Sequence, residues 1–201
     1  MSTIPRSPQD FFQIWLPSAF GPVAAKPSGS GQTSAPPNSP GALVFWIGDE
    51  APFALRLSAG KLRVERALAP DCVVQVILSE ADFEPVIVRG AEALMAQGNP
   101  EKQLSVLHAL SLDKERVELI RGVPGSVAFV LPAGAVEHRI VLTPGVRPKA
   151  LGPTECTVRC ALNDFLGMQR GEANPFDLMM NGRLQISGDA QIPMALSSLL
   201  M

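Results

Sequence analysis

The sequence has no tyrosine, two tryptophans, two histidines and three cysteines, and each scarcity removes a class of chemistry. With aromatics at 5% of residues, no series of stacking platforms for single-stranded nucleic acid is present. A formal net charge of −2 gives no electrostatic case for a phosphate backbone or an anionic membrane surface. No CxxC pair occurs, and His108 and His138 stand alone, so neither a metal site nor a cofactor is expected. The thiol count is odd, and Cys156 and Cys160 fall on one strand face, which suits core packing better than a disulfide. No apolar run reaches the about 18 residues that a membrane-spanning helix needs. The opening MSTIPRSPQDFF has no basic segment followed by an apolar one, so no signal peptide is expected. The ending Ser-Leu-Leu-Met is not a peroxisomal address of the Ser-Lys-Leu kind. A soluble cytoplasmic protein is the expectation.

What is present is a globular composition with a greasy balance: 201 residues, 46% hydrophobic and 18% charged, enough to bury a core in one or two small domains. Ser7-Pro8-Gln9-Asp10 reads as a helix start, and Phe11, Phe12, Ile14, Trp15 and Leu16 make that helix strongly apolar, with Pro17 kinking or ending it. Its apolar stripe predicts a packing helix docked on a sheet. The run Pro22–Pro40, rich in Pro, Ser and Gly, cannot bury enough apolar surface to order itself and reads as an exposed linker. Residues 41–90 are strand-rich: Leu43–Ile47, the alternating Phe53, Leu55 and Leu57, Leu62–Val64 and Cys72–Leu78, followed by a capped helix start at Ser79.

A later block repeats this one. GALVFWI, from Gly41, faces GSVAFVL, from Gly125; FALRLSAG faces HRIVLTPG; Asp71-Cys72 faces Glu155-Cys156; and Asp82-Phe83 faces Asp164-Phe165. The offset drifts only from 84 or 85 to 82 residues, which points to an internal duplication. Three segments follow: 1–40, helix and linker; 41–110, an incomplete first half; 111–201, a complete second half. Between them, a helical stretch is predicted from Asn99 to about Ile120.

The stretch from Thr154 onward is the most patterned. Cys156, Val158 and Cys160 alternate as a strand; Asn163-Asp164 open a short helix carrying Phe165, Leu166 and Met168, which Gly171 ends. Asn174-Pro175-Phe176-Asp177 is a second helix start, with a capping side chain and proline at the first helical position. Arg183–Ser187 is a half-buried strand. Ile192, Ala195, Leu196, Leu199 and Leu200 then form one apolar helical stripe.

This order resembles the sterol carrier protein type 2 family: an acidic-Cys strand (Glu155-Cys156), an Asp-apolar-apolar helix (Asp164-Phe165-Leu166), a glycine (Gly171), an Asn-Pro helix (Asn174-Pro175), a G-[KR]-L-x-I-x-G strand (Gly182–Gly188) and an apolar C-terminal helix. The resemblance implies an α+β fold with antiparallel or mixed sheets and packing helices, here two such halves in tandem, and an apolar tunnel for lipid. On that basis the lipid-binding set is Phe129, Leu131, Ile140, Leu142, Val158, Cys160, Phe165, Met168, Phe176, Met179, Met180, Leu184, Ile186, Ile192, Leu196 and Leu199, with the segment from Gln191 as a lid. The ligand is a fatty acyl, sterol-like or isoprenoid lipid, and a membrane or an enzyme is the transient partner. The rival reading is a ligand-free scaffold for a lipid- or quinone-modifying enzyme.

Catalysis has little behind it. Glu137-His138 has no nucleophile at a recognisable spacing and reads as a solvated strand-edge pair. Asp164 reads as a helix cap and Glu172 as a loop residue, and Cys156 and Cys160 as buried inert thiols. Gly182–Gly188 is not a phosphate loop, since its glycines flank a strand. No enzyme is expected.

Overall fold

Alternation along the first strand sorts two faces. In β1 (Ala42–Ile47), Leu43, Phe45 and Ile47 point to one side, and Ala42, Val44 and Trp46 to the other. The structure, a computed structural model, describes residues 3–19, 38–59, 61–96, 110 and 112–200, the side chains of 197–200 excepted. Most of the Pro22–Pro40 run and most of the stretch 99–111 therefore lie outside the described residues.

Eight strands form one mixed sheet in the order β3-β2-β1-β4-β6-β5-β7-β8. After β1 come β2 (Phe53–Ser58), β3 (Lys61–Glu65), β4 (Cys72–Leu78), β5 (Val127–Ala133), β6 (Val136–Pro144), β7 (Cys156–Cys160) and β8 (Leu184–Gly188). β1 runs antiparallel to β2 and parallel to β4; β5 runs antiparallel to β6 and parallel to β7. The join is the antiparallel pair β4–β6, with Val74 opposite Pro144 and Leu78 opposite Ile140. The protein is thus an α+β molecule with an open mixed sheet. At its outer edges lie β3, whose Lys61, Arg63 and Glu65 are exposed, and the five-residue β8. Short or charged edges of this kind resist pairing with other chains.

The helices cover one face. They are α1 (helical residues 8–19), α2 (helical residues 80–96), α3 (Lys114–Gly122), α4 (Leu162–Gln169), α5 (Pro175–Met180) and α6 (Gln191–Leu200). Two of them widen into π turns beside prolines, Phe11–Trp15 ahead of Pro17 and Phe83–Val88 around Pro85. A π turn re-registers the backbone ladder that a proline interrupts. The expected break at Pro17 is therefore a local widening, and the helix continues to residue 19. Ser79 caps α2 by accepting a hydrogen bond from the Asp82 N–H, Asp113 caps α3 through Arg116 N–H, and Asn174 caps α5 through Phe176 N–H.

Two apolar clusters lie under the helices and meet at Leu43, Val76 and Ile87. The opposite face carries small residues (Ala42, Val44, Ala54, Ala128) beneath Trp46. Its one fully buried amide, Gln75, accepts from Trp46 Nε1 at 2.8 Å and donates to the carbonyls of Gly145 at 3.1 Å and Arg147 at 2.9 Å. The loop after β6 is thereby tied across the back of β4.

Two readings from sequence change here. His138 is not a solvated edge residue: β6 is flanked on both sides, and the imidazole is buried with Nδ1 2.9 Å from Asp82 Oδ1. Asp164 does not cap its helix. Ala161 is the capping residue, without a side-chain bond, and the buried Asp164 carboxylate instead receives a hydrogen bond from Arg183. Glu172 does lie in a loop, as expected, where it pairs with Arg170 Nε at 2.6 Å.

Candidate functional site

Phenylalanine and tryptophan pack efficiently on a pleated face only where side chains interdigitate. The N-terminal helix does this over β1 and β2: Phe12 stacks on Phe53 with centroids 4.6 Å apart, and Phe11 meets Phe83 edge-on at 5.5 Å. The cluster is not filled to its full depth. Between α1, α2 and the sheet lies a chamber of about 250 Å³. Phe11, Phe12, Trp15 and Leu16 of α1 roof it; Leu43, Phe45, Leu55 and Leu62 of β1–β3 form the floor. Val86, Ile87, Gly90, Ala91, Leu94 and Met95 of α2 make one wall, and Leu110 and Gln169 complete the lining.

Apart from the Trp15 indole and the Gln169 amide, every lining side chain among the described residues is apolar, and none of these is a Lys, Arg, His, Asp or Glu. Such a lining can bind apolar surface but cannot move a proton or activate a nucleophile. The volume exceeds the 150 Å³ of an apolar cavity that admits benzene, and by proportion accommodates roughly ten carbons. Gly90 keeps the wall thin at one point: a Cβ there would lie 2.8 Å from Gln169 Oε1.

None of the assigned residues whose side chains are described lines this chamber. Leu131, Ile140, Val158, Cys160, Leu184, Ile192 and Leu196 are buried in the neighbouring cluster, with Phe129, Leu142, Phe165, Met168 and Ile186 packed against it. Phe176, Met179 and Met180 lie on the surface, 65%, 42% and 73% exposed, and the side chain of Leu199 is outside the described residues. The C-terminal helix α6 packs against α3, and its Ile192 reaches the Gly125 turn. Sequence reading passed over the chamber because its walls come from segments that look like ordinary packing. The available signals were the aromatic density of Phe11–Trp15 and a glycine, Gly90, inside a helix.

The polar groups buried elsewhere are structural. Ser79 Oγ donates to Asp82 Oδ2 at 2.7 Å while Oδ1 meets His138, so the carboxylate sits between serine and imidazole. A hydrolytic triad needs the imidazole in the middle, so this chain of contacts does not prepare a nucleophile. Burial pushes the Cys72 thiol up to about 12 and the Cys160 thiol up to about 11, and it raises that of Cys156 as well. These are poor nucleophiles at neutral pH. Among the described residues no group of three His, Cys, Asp or Glu could hold a metal ion, and no helix is long and apolar enough to cross a membrane.

Comparison with known proteins places the resemblance in the second half. Residues 106–201 match the model of the SCP-2 sterol transfer family. Among solved structures, the chain is similar to the apo form of sterol carrier protein 2 from Yarrowia lipolytica, at 20% identity over 41% of this chain and 76% of that one, with a TM-score of 0.33. Sterol carrier protein domain 2 of Helicoverpa armigera is 20% identical over 58% and 85% of the two chains, TM-score 0.36. Palmitated SCP2L2 from Aedes aegypti is 17% identical over 59% and 94%, TM-score 0.36. No curated protein matches the chain.

Proposed function

We propose, from the sterol-carrier match over residues 106–201 and the apolar chamber beside it, that this protein is a non-catalytic lipid binder. The observation that carries this reading is the lining: among the described residues, sixteen without an ionisable side chain surround about 250 Å³ of space. Apolar burial, at roughly 25 cal/mol per Å², drives a hydrocarbon chain into such a space before ordering costs are deducted. The size suits one fatty acyl or isoprenoid segment with its head outside, and a four-ring sterol would enter only in part.

The first half is the compartment in this proposal, and the second half is its structural partner. A duplicated origin is part of this proposal. β1, β2 and β4 share order and direction with β5, β6 and β7, and the buried Asp82–His138 contact across β4–β6 parallels the Asp164–Arg183 contact across β7–β8. β6 would then stand where a first-half counterpart of β8 is missing. The described residues of the second half bury one continuous apolar cluster, and the first half keeps room under its helices.

The test is direct. Native mass spectrometry of gently purified protein should show retained lipid mass, and Ala91→Phe, which fills the chamber, should abolish it without loss of fold. A photoreactive fatty acid should label α1 or α2. Labelling at Phe165–Met180 would move the compartment to the residues assigned from the family resemblance. Retention of no lipid by wild type would favour the scaffold reading.

A further inference from the structure

We infer that Gln169 selects the ligand's head group, and that the chamber takes a single-chain lipid ending in an uncharged hydroxyl or carbonyl; this deepens the lipid reading and rests on it. Gln169 is the last residue of α4, a helix of the second half, yet it borders a chamber built almost wholly by the first. Its amide has no hydrogen-bond partner among the described residues, and the side chain is exposed, so donor and acceptor are both available at the rim. Gly90 opposite it removes the one Cβ that would push the amide aside, since that atom would fall 2.8 Å from Oε1.

Charge argues against an ionised head. None of the described lining residues is cationic, so a carboxylate drawn to the rim would lose hydration with none of these to pair with. Gln169 also stands at the C-terminal, carbonyl end of its helix, which repels negative charge. The adjacent cation, Arg170, is engaged with Glu172 at 2.6 Å. A hydroxyl or carbonyl meets neither penalty and can use the amide as acceptor or donor.

Titration calorimetry of the full chain with 1-decanol and with decanoate tests the assignment. Wild type should bind decanol about tenfold more tightly than decanoate. Gln169→Leu should weaken decanol by about three- to tenfold, the worth of one net hydrogen bond, with the melting temperature unchanged because the residue is exposed. Gln169→Glu, which still accepts from an alcohol O–H, should restore decanol to within about twofold of wild type and weaken decanoate further. Gly90→Ala should reproduce the loss seen in Gln169→Leu, and the double variant should lose no more than either single one. Decanoate binding as tight as decanol, or a decanol affinity indifferent to Gln169→Leu, overturns the head-group assignment and leaves lipid binding standing. Failure of wild type to bind either probe overturns the lipid reading and the assignment with it.

Discussion

At the scale of single residues, burial governs reactivity. Cys72, Cys156 and Cys160 are buried, and burial raises all three thiols, to about 12 for Cys72 and about 11 for Cys160. The native protein should therefore yield none of its three thiols to a disulfide reagent at pH 8 within minutes, and all three in denaturant. Fast reaction of any one would show that its strand opens. Asp71 behaves in the opposite sense, because the hydrogen bond from Arg56 holds its carboxyl below the usual range. The folded state then binds that proton less readily than the unfolded state. The pair's contribution is whole above about pH 4 and disappears as pH falls through the depressed folded value. Both side chains are about a third exposed, so the effect is small, under about 1 kcal/mol. The difference in urea midpoint between wild type and Asp71→Asn should be measurable at pH 7 and shrink progressively as the pH falls below about 4.

At the scale of elements, two contacts decide how the chamber is held. The first is the roof. Phe12 is 1% exposed and touches Phe11, Phe45, Phe53 and Phe83. Phe12→Ala should cost about 3–5 kcal/mol, and it should raise the fluorescence of an apolar dye by enlarging the chamber. A variant as stable as wild type and equally dark would mean that α1 is not the roof in solution. The second contact is the buried bond between Asp82 at the start of α2 and His138 on β6, one in each half. Asp82→Ala leaves a buried imidazole without its partner and frees Ser79, at a cost of about 1–3 kcal/mol. The melting temperature should fall accordingly, whereas Asp10→Ala, on an exposed position of α1, should leave it in place.

At the scale of the whole molecule, the antiparallel β4–β6 pair makes a single sheet of strands far apart in sequence, such as Val76 opposite Leu142, 66 residues later. Shared burial across that seam predicts one cooperative unfolding transition. Both tryptophans, Trp15 and Trp46, lie in the first half, so their fluorescence reports that half while far-ultraviolet dichroism reports all strands. The two urea curves should superpose; a separate, earlier fluorescence transition would divide the molecule into independent domains.

Local pattern determined much of this protein. Period-two alternation located the strands, and Ser79 and Asn174 announced their helices because capping is a short-range interaction. The motifs from Glu155 to Gly188 carried the family resemblance that the match over residues 106–201 repeats. Other features depended on residues far apart in the chain. That β6 is a central strand follows from β4 lying beside it, and only then is His138 buried against Asp82 rather than solvated. Asp164 looked like a cap until Arg183, nineteen residues later, came alongside it. The chamber is the plainest case. Its roof, floor and walls come from residues 11–16, 43–62 and 86–95, and its one amide from Gln169. A void has no sequence of its own, because it exists only where separately well-formed elements meet without filling the space between them.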